Sequence, residues 1–99
     1  LPLTRTPELQ ARNLSKLARQ FVTDITEFLL SSRKLTVQEN LEVGLLYENV
    51  ALFYQALGEI YPQAREHFEH LAGANYNAAA QHYRDAYLDD TTVAERRAA

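Results

Sequence analysis

VGLLYENVALFYQALGEIY, residues 43–61, decides the architecture of this 99-residue chain. Val43, Leu46, Val50, Phe53, Leu57 and Ile60 recur at alternating steps of three and four, which puts them on one stripe of a helix. Tyr47, Tyr54 and Tyr61 repeat every seven residues beside that stripe. A stripe of this kind must be buried against another helix, with the tyrosines flanking the seam and their hydroxyls toward water. Gly44 lies inside the segment at a cost of about 1 kcal/mol relative to Ala. It either permits close approach of another helix or is merely tolerated there.

Upstream, Thr6-Pro7-Glu8 is a helix start: Thr caps, Pro takes the first helical position, and Glu meets the positive helix end. The first helix is expected over about 7–31. Its apolar stripe is Leu14, Ala18, Phe21, Ile25 and Phe28, widened by Leu17, Val22 and Leu29. The stretch 31–35, SSRKL, breaks it, and Thr36-Val37-Gln38-Glu39 matches a capping box. The second helix is therefore expected over 37–61, and so short a break between long helices makes an antiparallel hairpin.

Downstream, Gly58 and Pro62 punctuate the end of the second helix, and a short third helix over 62–72 is expected to stop at Gly73. Asn75 or Asn77 then caps a fourth helix over 76–88, with Tyr76, Ala79, Ala80, Tyr83, Ala86 and Tyr87 on one face. Thr92-Val93-Ala94-Glu95 is a second capping-box match so near the end that a frayed tail is expected. The expected fold is thus one all-α domain over 1–99: a long antiparallel hairpin with two shorter helices packed across it, bundle-like.

Composition narrows function by exclusion. There is no Cys, so neither a disulfide framework nor a thiolate metal site is available. No apolar run approaches the ~20 residues needed to span a bilayer. The chain starts at Leu1 and contains no Met. It reads as either a processed chain or one with a chosen boundary, soluble, in the cytoplasm or in an organelle interior after loss of a targeting segment. Residues 1–34 carry a net +3 and residues 35–99 a net −6, within a total of −3. The two halves should attract each other within or between chains, although exposed ion pairs contribute little stability. The acidic total and the lack of any recognised motif argue against nucleic acid.

Catalytic candidates are weak. The Ser residues lie in the first helix and its break, and there is neither a Gly-x-Ser-x-Gly elbow nor a glycine-rich phosphate loop. His67 and His70 share a helix face, with Glu66, Glu69 and His82 as conceivable co-ligands. A di-iron bundle would require Glu three residues before a His, and positions 64 and 79 are both Ala. The histidines read as a surface pair. No catalytic residue, metal or cofactor is assigned, and the chain is expected not to be an enzyme.

Six tyrosines stand out. Either they edge a small core, or some face a partner, as tyrosines in interface hot spots do. Tyr47, Tyr54, Tyr76, Tyr83 and Tyr87, with Leu45 and Leu52 outside the main stripe, are the candidate partner-binding residues. The expected function is a helical protein–protein interaction module, as a homodimer or a small accessory subunit of a larger assembly. The alternative is a small-molecule-binding regulatory domain with a cavity between its helices.

Tyr54, Leu57, Gly58 and Tyr61, followed by Ala79, Tyr83, Ala86 and Asp90, are spaced as in the two helices of a tetratricopeptide repeat. The resemblance covers residues 54–90 and implies helix pairs that bury small and aromatic residues and present a peptide-binding face. About nine extra residues separate the two matching helices, and no 34-residue self-similarity is present. GEIY followed by Phe68 and YRDA is similar, in turn, to the antibiotic-recognising helical domains of some MerR-type regulators. Far-ultraviolet circular dichroism tests the fold class: well over half helix is expected, against the roughly 35% of an average globular protein.

Overall fold

The computed structural model describes residues 6–31 and 33–89. These form three α-helices: α1 (Pro7–Leu29), α2 (Val37–Ile60) and α3 (Arg65–Asp89), with one 3-10 turn, Pro62–Ala64, between α2 and α3. The expected lead-in before residue 6 and the frayed tail beyond residue 89 lie outside the described residues.

Both hairpins begin at well-made caps. The Thr6 hydroxyl accepts from the Leu9 N–H at 3.2 Å, with Pro7 at the first helical position. At α2 the capping box is complete. Thr36 Oγ1 accepts from the Glu39 N–H, and the Glu39 carboxylate accepts from the Thr36 N–H. Arg33 then grips the same carboxylate through both guanidinium nitrogens, at 2.6 and 2.5 Å. These hydrogen bonds, from the guanidinium first and the Thr36 backbone second, pull Glu39 down to about 2. The break between α1 and α2 is thereby tied to the start of α2.

At the other end, Tyr61 leaves the helical region (φ −119°, ψ 78°). Pro62 forces this, because its ring clashes with an α-helical conformation of the preceding residue. One tight turn reverses the chain into α3.

α3 corrects the four-helix expectation. Residues 62–72 and 76–88 are not two helices; they belong to one 3-10 turn and one continuous helix that passes through Gly73. Gly73 has no positive φ and therefore is not a left-handed cap. Asn75 does not cap either: its side-chain amide donates back to the Leu71 carbonyl at 2.8 Å, as a helix-interior residue does. The first two helices also end slightly earlier than expected, at Leu29 and Ile60.

α2 is the middle helix of an open layer. α1 packs along one side and α3, more extensively, along the other, while the backbones of α1 and α3 nowhere approach each other. α3 therefore runs alongside α2 rather than across the α1–α2 hairpin. Toward α1, Ile25, Val43 and Val50 form the centre, with Phe21, Phe28, Leu35, Leu46, Tyr47 and Tyr54 packed around them. Phe21 and Phe53 stack with centroids 5.5 Å apart and planes 3° off parallel.

The α2–α3 seam is made of small residues. Gly44, Ala51 and Gly58 recur every seven residues on α2, and Ala72, Ala79 and Ala86 do so on α3; all six are buried. Small side chains let two helix axes come closer than Leu or Phe would allow. At Gly44 the approach is extreme: a Cβ there would meet Cε1 of Tyr83 at 2.5 Å.

Two glycine substitutions test this arrangement in opposite directions. Gly44→Ala should destabilise by about 1–3 kcal/mol through overpacking, despite its better helix propensity. A Cβ at Gly73 meets nothing within 4 Å. Gly73→Ala should therefore stabilise by about 0.5–1 kcal/mol. Urea midpoints read both; loss of stability at Gly73→Ala would mean that the helix ends there.

Candidate interaction surface

Three polar contacts climb the α2–α3 seam and fix its antiparallel register. Asn40 Oδ1 lies 2.9 Å from His82 Nδ1, Tyr83 donates to the Glu48 carboxylate at 2.7 Å, and Tyr76 donates to Gln55 Oε1 at 2.9 Å. Asn40 is only 4% exposed. A buried amide left without a partner costs roughly 1–3 kcal/mol, so His82 must stand opposite it. Tyr47 stacks on the same imidazole with centroids 5.6 Å apart.

The tyrosines singled out in the sequence thus have different surroundings. Tyr76 and Tyr83 hydrogen-bond α2. Tyr47 and Tyr54 stack on α3, Tyr54 against Phe68 at 6.3 Å. Tyr87 is 51% exposed. Leu45 and Leu52, on the outer side of α2, are half exposed. Burial first, and the Glu48 carboxylate second, push the Tyr83 hydroxyl up to about 12.

Asn40, Ala51 and His82 were not anticipated as contact residues. For Asn40 and Ala51 the signal was present: Asn40 precedes Gly44 by four and Ala51 follows it by seven, so both share a helix side with Gly44.

Exposed apolar residues lie on both sides of the α1–α2 hairpin, with Leu17, Leu45 and Leu52 on one and Val22 and Leu29 on the other. An open groove of about 420 Å³ is lined by Asp24, Glu27 and Phe28 of α1 and by Glu42, Leu45 and Leu46 of α2. Leu17 precedes Asp24 by seven residues and Leu52 follows Leu45 by seven, so both extend the same face. Leu17, Leu45 and Leu52 are each about half exposed. On the opposite side, Ser15, Ala18, Arg19 and Val22 of α1 and Tyr54 and Leu57 of α2 line a second groove of about 320 Å³. The charged groove of about 610 Å³ beside the second hairpin turn is lined by Gln55, Glu59, Arg65 and Glu69.

His67 and His70 are exposed, and the His67 ring leans on Phe68 at 5.6 Å. Among the described residues, no three His, Asp or Glu side chains cluster as a metal would require. Among the same residues, no helix is long and apolar enough to cross a membrane. No protein-family model, curated protein or solved structure matches the chain.

The Tyr83 hydroxyl makes the seam sensitive to alkali. Its folded pKa lies above the unfolded value of about 10, so between pH 10 and about 12 the folded state holds a proton that the unfolded state has lost. The contribution is complete below pH 10 and disappears as pH rises through 12. Tyr83→Phe should be less stable than the parent at pH 8, and the difference should shrink by pH 11.5, as read by thermal unfolding at both values.

Proposed function

We propose that this chain is a non-catalytic helical protein–protein interaction module that works as a homodimer or as a small accessory subunit of a larger assembly. The observation that carries this reading is the face built by Leu17, Leu45 and Leu52 around the groove floored by Phe28 and Leu46. Apolar side chains left half in water, contiguous and rimmed by charge, are the usual mark of a protein partner site.

The fold supports the reading. Among the described residues α1 packs only on α2, and none of the other described helices covers its outer flank. Three of the groups that could do chemistry are engaged in holding the fold: His82 on Asn40, Tyr83 on Glu48, and Glu39 on its cap and Arg33.

Co-purification from the native source tests the module. A partner, self or foreign, should be retained by the parent chain and lost, by tenfold or more, from Leu45→Glu with Leu52→Glu. Both side chains are half exposed, so circular dichroism should show that the helices survive. A parent chain that retains nothing, or a variant that retains as much as the parent, would remove the basis of the proposal.

A further inference from the structure

The groove between α1 and α2 carries one sign of charge. Asp24, Glu27 and Glu42 stand around Phe28, Leu45 and Leu46, and every charged side chain that lines it is a carboxylate. Among the described residues none of the three carboxylates has an ion-pair partner. Asp24 accepts one hydrogen bond, from the Gln20 side-chain amide at 3.1 Å. Arg33 shares a pocket with Glu27 and Phe28, but its guanidinium is held by Glu39. Arg65 lines the neighbouring charged groove, beside Glu59 and Glu69.

The acidic groove continues into a row along α2. Glu42, Leu45, Asn49, Leu52, Ala56 and Glu59 recur at alternating steps of three and four, and none of the six is buried. The row thus begins and ends in glutamate, with Leu45 and Leu52 between. Glu59 follows Glu42 by seventeen residues, which is about 26 Å of helix. On α1, Leu17 and Asp24 are seven residues apart and edge the same face.

These features specify an occupant. A groove between two antiparallel helices accepts a third helix at an axis spacing of roughly 8–10 Å. The face offers side chains and no free backbone edge, so an extended strand would find nothing to pair with. An isologous contact through the groove would bring carboxylates toward carboxylates. Cations flanking an apolar stripe would instead meet the unpaired acids as the stripe covers the leucines. We infer that the partner on this face is a basic amphipathic helix of another protein. It has one apolar stripe seated on Phe28, Leu45 and Leu52, and lysine or arginine beside the stripe facing Asp24, Glu27 and Glu42.

This inference rests on the interaction-module reading and supplies the chemistry of the partner. The probe is a labelled helical peptide of about 18 residues, leucine at steps of three and four and lysine elsewhere. Fluorescence anisotropy with the full chain should show saturable binding that weakens as salt is raised. A peptide of the same composition with its leucines scrambled off the stripe should bind at least about tenfold more weakly, as should one with glutamate for lysine. Glu27→Lys with Glu42→Lys should weaken the striped peptide by about tenfold or more. Asp85→Lys with Glu66→Lys makes the same change in net charge on α3, outside the groove, and should stay within about twofold of the parent. All four positions are exposed, and circular dichroism checks that each variant is folded.

A striped peptide that fails to bind at about 100 µM, far above a typical specific affinity, would overturn the inference. So would equal binding of the scrambled peptide, or equal weakening by the α3 reversals. Light scattering that finds the parent self-associated, and the association broken by Leu45→Glu with Leu52→Glu, would put a second copy on the face and overturn it too. A native partner lost from that leucine variant but retained by Glu27→Lys with Glu42→Lys would sink the basic helix alone and leave the interaction module standing.

Discussion

Everything in this fold hangs on the place where the Tyr83 ring occupies the space a side chain at position 44 would fill. Cε1 of Tyr83 would lie 2.5 Å from a Cβ on Gly44. Any larger residue at 44 would force the Tyr83 ring to move. The ring therefore sets the register of α3 on α2. Once it is set, the Tyr83 hydroxyl falls on Glu48, His82 falls on Asn40 and Tyr76 falls on Gln55. The three buried alanines of α3 then meet the small-residue side of α2. Alanine brings little apolar area to a seam, so this one is held by closeness: many weak dispersion contacts that exist only at short range.

Polar pairs do the specifying. A seam of glycine and alanine is smooth and would tolerate several registers. A buried Asn40 does not, because any register that leaves it unpaired is penalised by its desolvation. The first hairpin solves the same problem differently. There the register is carried by large side chains, Phe21 on Phe53, and the turn is held by the bidentate Arg33–Glu39 pair closing over the Thr36 cap. One middle helix thus carries two unlike faces, bulky toward α1 and small toward α3.

The bulky face was legible in the sequence because its period is written in Val, Leu, Ile and Phe. The caps at Thr6 and Thr36 were legible because capping is local chemistry that needs no knowledge of the fold. The small face was hidden. Gly44, Ala51 and Gly58 do not register as apolar, although they keep a strict step of seven, and Gly44 alone suggested close approach. Gly73 was misread for a related reason. Glycine ends a helix by adopting a positive φ, and nothing in the residue itself says whether it will. The answer lay in the alanines: 72, 79 and 86 keep one phase across Gly73, which only an unbroken helix allows. Among the candidate contact residues, the outer leucines 45 and 52 are exposed, whereas Tyr76 and Tyr83 are bonded to α2. Sequence shows that a tyrosine needs a partner; which chain supplies it depends on a helix pairing that small residues conceal.

An open layer of three helices has a consequence for stability as well as for binding. α3 is bound to α2 by a close seam and three polar contacts, whereas α1, among the described residues, is bound by one seam only. Its packing on α2 is less extensive than that of α3, so α1 is the least supported of the three described helices. Segments with sparse burial open first and most often. A partner that covers the outer side of α1 would add the second seam that the fold does not supply. Binding and folding of α1 would then be linked, and association would stabilise the hairpin by mass action.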